Sequence, residues 1–480
     1  MDEPQLRVEK THEKLPPSPH IYPRKVTVHI SPSPLDRRIL ALALPALGAL
    51  VAEPLFVLID SAMVGHLGAQ SLAGLSLAST VLTTVVGLFV FLAYATTAIT
   101  ARLFGAGERQ AGLRAGVDGL WLAAFLGLLA GLLLATTAPW VIAGLGGRGA
   151  VAAAAVAYLR TSAAGVPGML VVFAATGTLR GLLNTRTPLV VATVGAIVNV
   201  LLNALFLYGL GLGIAGSGLG TALAQTGMAG ALVLPLAHAA RADGVALRPS
   251  GTGLASSLGA GTPLLVRTIS LRIALLTTVW AATQLGQAPL AGHQVVNAIW
   301  GLAAFSLDAL AIAAQALVGT ALGEAAAASA SPKTVPPERL GLGVDAVLRR
   351  CLAWGVGAGV VLGALVAVGS PWLPLLFTTD PGVAAAARPA LLVAATAMPL
   401  AGAVFLFDGV LMGAGDGRYL AGAGVVTLLP YLPAVVAVAH GWPAGGQAGL
   451  LWLWAAFVWL FMGARAVSTG LRARSEAWRH

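Results

Sequence analysis

The nonapeptide HLGAQSLAG at residues 66–74 returns as QLGQAPLAG at 284–292, matching at five of nine positions with an offset of 218. Each copy sits between the first and second members of a series of long apolar runs. A second echo follows in the same order: GLLNTR at 181–186 and GAGDGR at 413–418, each between a fourth and a fifth run. Two weak matches in one order mark a duplicated unit. Each unit holds six runs, and because six is even, both copies enter a membrane in the same sense. The axis relating them then lies along the membrane normal.

The runs themselves set the class. Of 480 residues, 58% are hydrophobic and only 10% charged, with a mean hydropathy of +0.86, which is far from a soluble composition. A bilayer core of roughly 30 Å demands about 20 apolar residues of a helix. Twelve such runs lie near 39–64, 76–101, 116–139, 151–179, 187–208, 215–239, 262–285, 292–321, 344–369, 388–412, 419–439 and 448–468. Strand-like alternation is missing, which excludes a β-barrel. The expected fold is an all-α membrane protein: twelve transmembrane helices in two six-helix lobes related by a pseudo-two-fold along the membrane normal. The N-lobe spans 39–239 and the C-lobe 262–468, with a linker over 240–261 and tails over 1–38 and 469–480. The first tail carries Pro4, Pro16, Pro17, Pro19, Pro23, Pro32 and Pro34 among charges and reads as disordered. It lacks the pattern of a cleavable signal peptide. A single cysteine, Cys351, rules out an intramolecular disulfide.

A net charge of +10 invites a nucleic-acid reading, but the placement of the basic residues points to topology. Most of the 28 Lys and Arg lie in the tails and in alternate loops, among them Arg102, Arg109, Arg114, Arg180, Arg186, Arg241, Arg248 and Arg418, with Arg465, Arg472, Arg474 and Arg479 at the C-terminal end. The opposite loops hold Arg148, Arg160 and Arg388. This bias expects both termini in the cytoplasm of a multi-pass cell-membrane protein. Basic loops facing anionic lipid account for the charge with no nucleic-acid partner.

Against this apolar background the polar residues stand out. In LVAEPLFVLIDSAMVGHLG, residues 50–68, Glu53 and Asp60 are seven residues apart, about two turns, so they share one helical face roughly 10 Å apart. An ionised carboxylate in the bilayer costs several kcal/mol, and such residues mark an ion or proton route unless they serve local polar contacts. In VNVLLNALF, Asn199 and Asn203 stack on one face and are expected to hydrogen-bond Asp60 across the N-lobe, or else to act as interhelical polar glue. The C-lobe has its own set: Arg267, Arg272, Asp308 and Asp408. These read as mutually paired structural charges, with direct substrate or ion contact as the alternative. Pro45 and Pro54 interrupt the first helix before Asp60 and favour a bend there, one that protonation would switch.

Other signals carry less. GLGIAG at 211–216 fits a dinucleotide pattern without the strand it requires, and GVGAGVVLG at 355–363 reads as close helix packing. His66 and His293 lie near span ends and read as interfacial. HExxH, Walker A and paired-cysteine motifs do not occur, which argues against an intramembrane metalloprotease or an ATP-driven pump, and a transporter rather than an enzyme is expected. No cofactor is expected beyond a coupling ion, H+ or Na+.

The stretches LIDSAMVGHLGAQSLAGL, RGLLNTRTP, LDALAIAAQALVG and DGVLMGAGDGRYL together resemble the multidrug and toxic compound extrusion (MATE) family, especially its DinF-like branch, over nearly everything after the N-tail. The resemblance implies a V-shaped transporter of two six-helix lobes that exports cationic or amphipathic compounds in exchange for protons or sodium ions. It places Asp60 on the essential first-helix aspartate and Glu53 on a further polar position of the cavity. Asn199 falls on a family asparagine, Thr221 on a cavity threonine, and Pro45 on the proline where archaeal relatives bend. Asn203 departs from the pattern, which often has an aspartate there.

The expected function is therefore a proton-coupled antiporter working by alternating access on a small drug or metabolite, as a monomer in the bilayer. Three other readings remain: a sodium-coupled antiporter, a flippase for lipid-linked precursors, which would need a more cationic central cavity, and a membrane-embedded prenyltransferase, whose aspartate-rich Mg2+ motifs are missing.

Overall fold

The computed structural model describes residues 33–330 and 343–479; of the tail expected to be disordered over 1–38, residues 1–32 lie outside the described residues. The described chain is helical throughout. Helix α1 is Pro34–Gly65, α2 Ala69–Leu88, α3 Phe91–Gly105, α4 Arg109–Gly144, α5 Gly149–Ala163, α6 Val166–Gly181, α7 Arg186–Ala204 and α8 Gly213–Ala242. The second half has α9 Gly251–Gln284, α10 Gln287–Ala330, α11 Val344–Gly369, α12 Pro381–Gly413, α13 Gly417–Ala439, α14 Gly446–Ala455 and α15 Met462–Arg474. A π turn at Leu205–Gly209 prolongs α7, and another at Ala456–Phe461 joins α14 to α15.

Eleven segments are long and apolar enough to cross a bilayer singly, Ala69–Gly105 and Gly446–Arg474 each counting as one. The twelfth span is the pair α5 and α6, bent by 49° at its break. Helices α1–α8 form one six-span lobe and α9–α15 the other. The turn geometry carries the duplication further than the letters do. Gly68 and Gly286, equivalent in the first echo, both have φ of +113°. In the second echo Leu183 at φ +58° stands where Gly415 has φ +77°. A leucine in the left-handed region costs about 1–2 kcal/mol over glycine, so the N-lobe keeps the inherited turn at some expense.

Two boundaries differ from expectation for local reasons. Helix α1 opens at Pro34, inside the stretch assigned to the tail, because Ser33 and Asp36 form a capping box and proline suits a first turn. Helix α9 opens at Gly251, eleven residues before its apolar run, capped by Ser250. The linker thus shrinks to the segment after Ala242. It is strapped along α4: Arg109 pairs with Asp243 at 2.6 Å, Arg114 donates to the Ala246 carbonyl at 2.7 Å and Trp121 to that of Leu247 at 2.8 Å. Despite Pro45 and Pro54, α1 runs as one helix of 32 residues.

The lobes meet most closely at the end of the bundle where α1 begins, here termed the base. There α3 and α10 touch backbone to backbone: a Cβ on Gly105 would stand 2.1 Å from the Thr320 carbonyl oxygen, and one on Gly323 2.0 Å from that of Arg102. Around this contact Arg102 donates to the Ala414 carbonyl at 3.0 Å. Asp118 accepts from the Ser250 amide and hydroxyl at 2.8 and 2.9 Å. Asp36 of α1 accepts from both Arg350 and Trp354 of α11, the indole at 2.7 Å. The main apolar core, from Ile39 and Leu92 through Leu317 to Val347 and Leu411, crosses the lobe boundary at this level.

Asp36 therefore ties α1 of one lobe to α11 of the other at the base. Replacing it, Asp36→Ala, should raise the fraction of molecules with a separated base. Spin labels at Glu108 and Arg418, in a Cys351→Ser background, should report an added long-distance population, and an unchanged distance distribution would refute the role.

Candidate functional site

The first cluster forms where α1, α5, α7 and α8 converge. Asp60 is 4% exposed and makes no ion pair among the described residues. Three donors converge on it: the Asn203 amide at 2.9 Å and the Ser217 hydroxyl on Oδ1, and the Tyr158 hydroxyl on Oδ2 at 3.3 Å. Asn203 also donates to the Asn199 side-chain oxygen at 3.1 Å, and Asn199 to Thr221 at 3.4 Å. All of these side chains are buried. The shell thus runs in two tiers. Asn203 touches the carboxylate, while Asn199 and Thr221 stand behind it and hold its amide in place. The expectation that Asn199 binds Asp60 directly is corrected here: of two asparagines one turn apart, only the one level with the carboxylate reaches it.

Ser217 and Tyr158 escaped the sequence reading, yet each left a trace. Ser217 precedes Thr221 by four residues and so shares its face; Tyr158 is the sole aromatic between Gly149 and Ala163. The close approach of α7 and α8 requires Gly220, whose added Cβ would stand 2.0 Å from the Asn203 side-chain oxygen. That oxygen is buried without a hydrogen-bond partner among the described residues. The side chain of Glu53 lies outside the described residues.

The second cluster gathers α9, α12 and α15. Asp408, buried, accepts from Arg267 at 2.5 Å and from Arg465, both largely buried. Arg272, expected in this set, does not join it. Five residues after Arg267, it projects about 140° away around the helix, is exposed, and reaches toward Gly87 of α2. Arg465, counted on sequence among the C-terminal tail charges, takes the place expected of Arg272, because the last helix continues inward to Arg474. Asp308, half-buried on α10, makes no ion pair among the described residues. Its electrostatic neighbours are Arg180, Arg267 and Asp408. His293 is also corrected: it is 2% exposed inside the C-lobe, its ring 5.6 Å from that of Trp454.

Two arginines on one buried aspartate make Asp408 a structural hub. Asp408→Asn would leave both guanidiniums short of a counter-charge at a cost of about 3–5 kcal/mol, seen as a large fall in melting temperature. Arg272→Gln should leave melting nearly unchanged. Equal melting of the Asp408 variant and the parent would contradict the assignment.

Comparison with known proteins fits this architecture. Protein DETOXIFICATION 44, chloroplastic, of Arabidopsis thaliana is 29% identical over 462 residues, covering 93% of this chain and 84% of its own length. DNA damage-inducible protein F of Escherichia coli (strain K12) is 28% identical over 293 residues, 60% of this chain and 64% of its own. A MATE transporter of Vibrio cholerae, solved in its bent form, superimposes with a TM-score of 0.80 at 18% identity, covering 92% of this chain and 98% of its own, a likeness of fold. The MatE family model matches residues 45–205 and 342–436, more than half of the chain and parts of both lobes. This multi-pass membrane protein belongs to the MatE family.

Proposed function

We propose that the protein is a secondary active antiporter that exports small amphipathic compounds in exchange for protons, alternating between states open to either side of a cell membrane. The single observation that carries the reading is Asp60: an acid buried within a membrane-spanning helix, lacking any cationic partner among the described residues, and held by three neutral donors. An ionisable group inside the membrane without an ionic partner marks an ion or proton route. It contrasts with Asp408, whose two arginines fix it as an anion. The names of the relatives support efflux, since one carries the name DETOXIFICATION and another is called a probable multidrug resistance protein.

The shell favours protons over sodium. Tyr158, Ser217 and the Asn203 amide all turn hydrogens toward Asp60, whereas a hard cation wants oxygen lone pairs. With the basic residues assigned to the cytoplasm, the closed base faces inward and the side chains of the Asp60 cluster belong to an outward-facing state. Protonation removes the charge that Asn203, Ser217 and Tyr158 stabilise, loosening the tie from α1 to α7 and α8. Pro45 and Pro54 give α1 the missing backbone bonds at which it would bend in response.

Asp60→Asn imitates the protonated acid and should fold normally. In proteoliposomes it should lose pH-gradient-driven efflux of amphipathic dyes by at least about 100-fold, because no proton can be released in each cycle. Ser217→Ala and Tyr158→Phe, each removing one donor worth about 1–3 kcal/mol to the charged form, should displace the pH dependence without abolishing transport. Efflux that follows a sodium gradient at equal, clamped pH, or undiminished efflux by Asp60→Asn, would overturn the proposal.

A further inference from the structure

The outer side of the base carries three arginines with no role in the antiport reading. Arg37 and Arg38 stand near the start of α1 and Arg186 at the start of α7, all exposed. None of them makes a hydrogen bond or ion pair among the described residues. Two contacts between α1 and α7 bring them together. The Thr185 hydroxyl donates to the Ala41 carbonyl at 3.5 Å, which sets the neighbouring Arg186 about one turn along α1 from Arg37 and Arg38. Further along, Gly48 admits Leu189 of α7: a Cβ added to the glycine would stand 2.7 Å from the leucine Cδ1. Beside these contacts lies a groove of about 880 Å3, whose walls include the three arginines, Leu40, Leu44 and Pro45. Asp36 is the sole acid among the described lining residues, and its carboxylate is already taken by Arg350 and Trp354. The groove therefore keeps three positive charges without a counter-charge.

The surroundings decide which anion fits. Arg37, Leu40, Ala41 and Leu44 follow one another at spacings of three and one to four, so they share a face of α1, and Leu44 is 62% exposed. On α7, Arg186 heads a second stripe of Val190, Val194, Ile197 and Leu201, each more than half exposed. Both helices thus present a cation at the base followed by apolar side chains running away from it. Ala46, about 200° around α1 from Leu44, packs on Ala309 and Ile312 of α10, so the groove opens away from the other lobe, toward the surrounding bilayer. From Arg37 to Pro45 is eight residues, about 12 Å, long enough for a headgroup at one end and the upper acyl chains at the other. Free phosphate would use the arginines and leave the stripes idle, whereas a phospholipid uses both. We propose that the groove between α1 and α7 binds one anionic phospholipid, its phosphate held by Arg37, Arg38 and Arg186 and its two acyl chains laid along the stripes of α1 and α7. The planar fork of arginine matches phosphate oxygens, and basic residues beside a span select anionic over zwitterionic lipid. The site is separate from the Asp60 cluster and does not depend on the antiport reading.

The test is native mass spectrometry of the detergent-solubilised full chain, with dioleoylphosphatidylglycerol and dioleoylphosphatidylcholine offered at equal concentration. Phosphatidylglycerol should fill one site about a hundredfold more tightly than phosphatidylcholine. Arg37→Gln, Arg38→Gln and Arg186→Gln should each lower that preference about fivefold, as loss of one basic residue facing an anionic lipid gives, and the three together should abolish it. Arg418→Gln removes an exposed cation from the base outside the groove and should leave the preference intact. A loss equal to that of Arg186→Gln would reveal diffuse attraction to a basic surface and overturn the site. Displacement of phosphatidylglycerol by equimolar inorganic phosphate would give the arginines to a free anion and equally overturn it. A benzophenone side chain introduced at Leu44, irradiated in vesicles of the same two lipids, should form its adduct with phosphatidylglycerol. An adduct with residues 1–32 or with a second copy of the chain would assign the groove to that occupant instead and refute the proposal.

Discussion

A carboxylate inside a bilayer must be neutralised, paired or used, because its ionised form there costs several kcal/mol. Among the described aspartates in the spans, Asp60, Asp308 and Asp408 each meet the constraint differently. Asp408 is clasped by Arg267 and Arg465, a permanent ion pair that ties α9, α12 and α15 into one body. Asp60 has only neutral donors around it, an arrangement tolerant of either protonation state. Asp308 faces an arginine from the other lobe without contacting it. The three acids thus differ in their partners: an ion-paired one in the C-lobe, one held by neutral donors in the N-lobe, and one facing the other lobe.

The seam between the lobes forms because the backbones come so close at the base. Gly105 against Thr320 and Gly323 against Arg102 leave no space for a side chain, the usual way helices associate where apolar side chains gain nothing by leaving lipid. Close approach there brings polar ties within reach, from Arg102 to Ala414 and from Asp36 to Arg350 and Trp354. These ties sit in the more polar zone at the helix ends, where a hydrogen bond lost to water on opening costs little.

Duplication supplied the frame and divergence the function. The two lobes keep matching turns, Gly68 with Gly286 and Leu183 with Gly415, because a turn between spans tolerates few backbone conformations. Their interiors no longer match. Where the N-lobe buries Asp60 among hydroxyls and amides, the C-lobe buries an ion pair and an aromatic group of Trp300, Tyr431, Trp454 and Phe457.

Much of this was determined by the sequence alone. Bilayer thickness makes spans visible as apolar runs, the spacing of Asn199 and Asn203 fixes a shared face, and the echoed turns report the two-lobe plan. Each is a local or periodic property, and each needs only the helix repeat to be read. Partner choice was decided by tertiary structure. Ser217 and Tyr158 reach Asp60 from α8 and α5, and nothing in their own segments says which neighbour they meet. Arg465 replaces Arg272 on Asp408 because α15 carries the chain back past the last apolar run while the turn of α9 points Arg272 elsewhere. Arg180, placed by sequence among the basic loop residues, proves to be buried at the lobe boundary. A side chain's partners are set by how helices cross and rotate against one another, and the packing that fixes those rotations is distributed over the whole bundle rather than written at any one position.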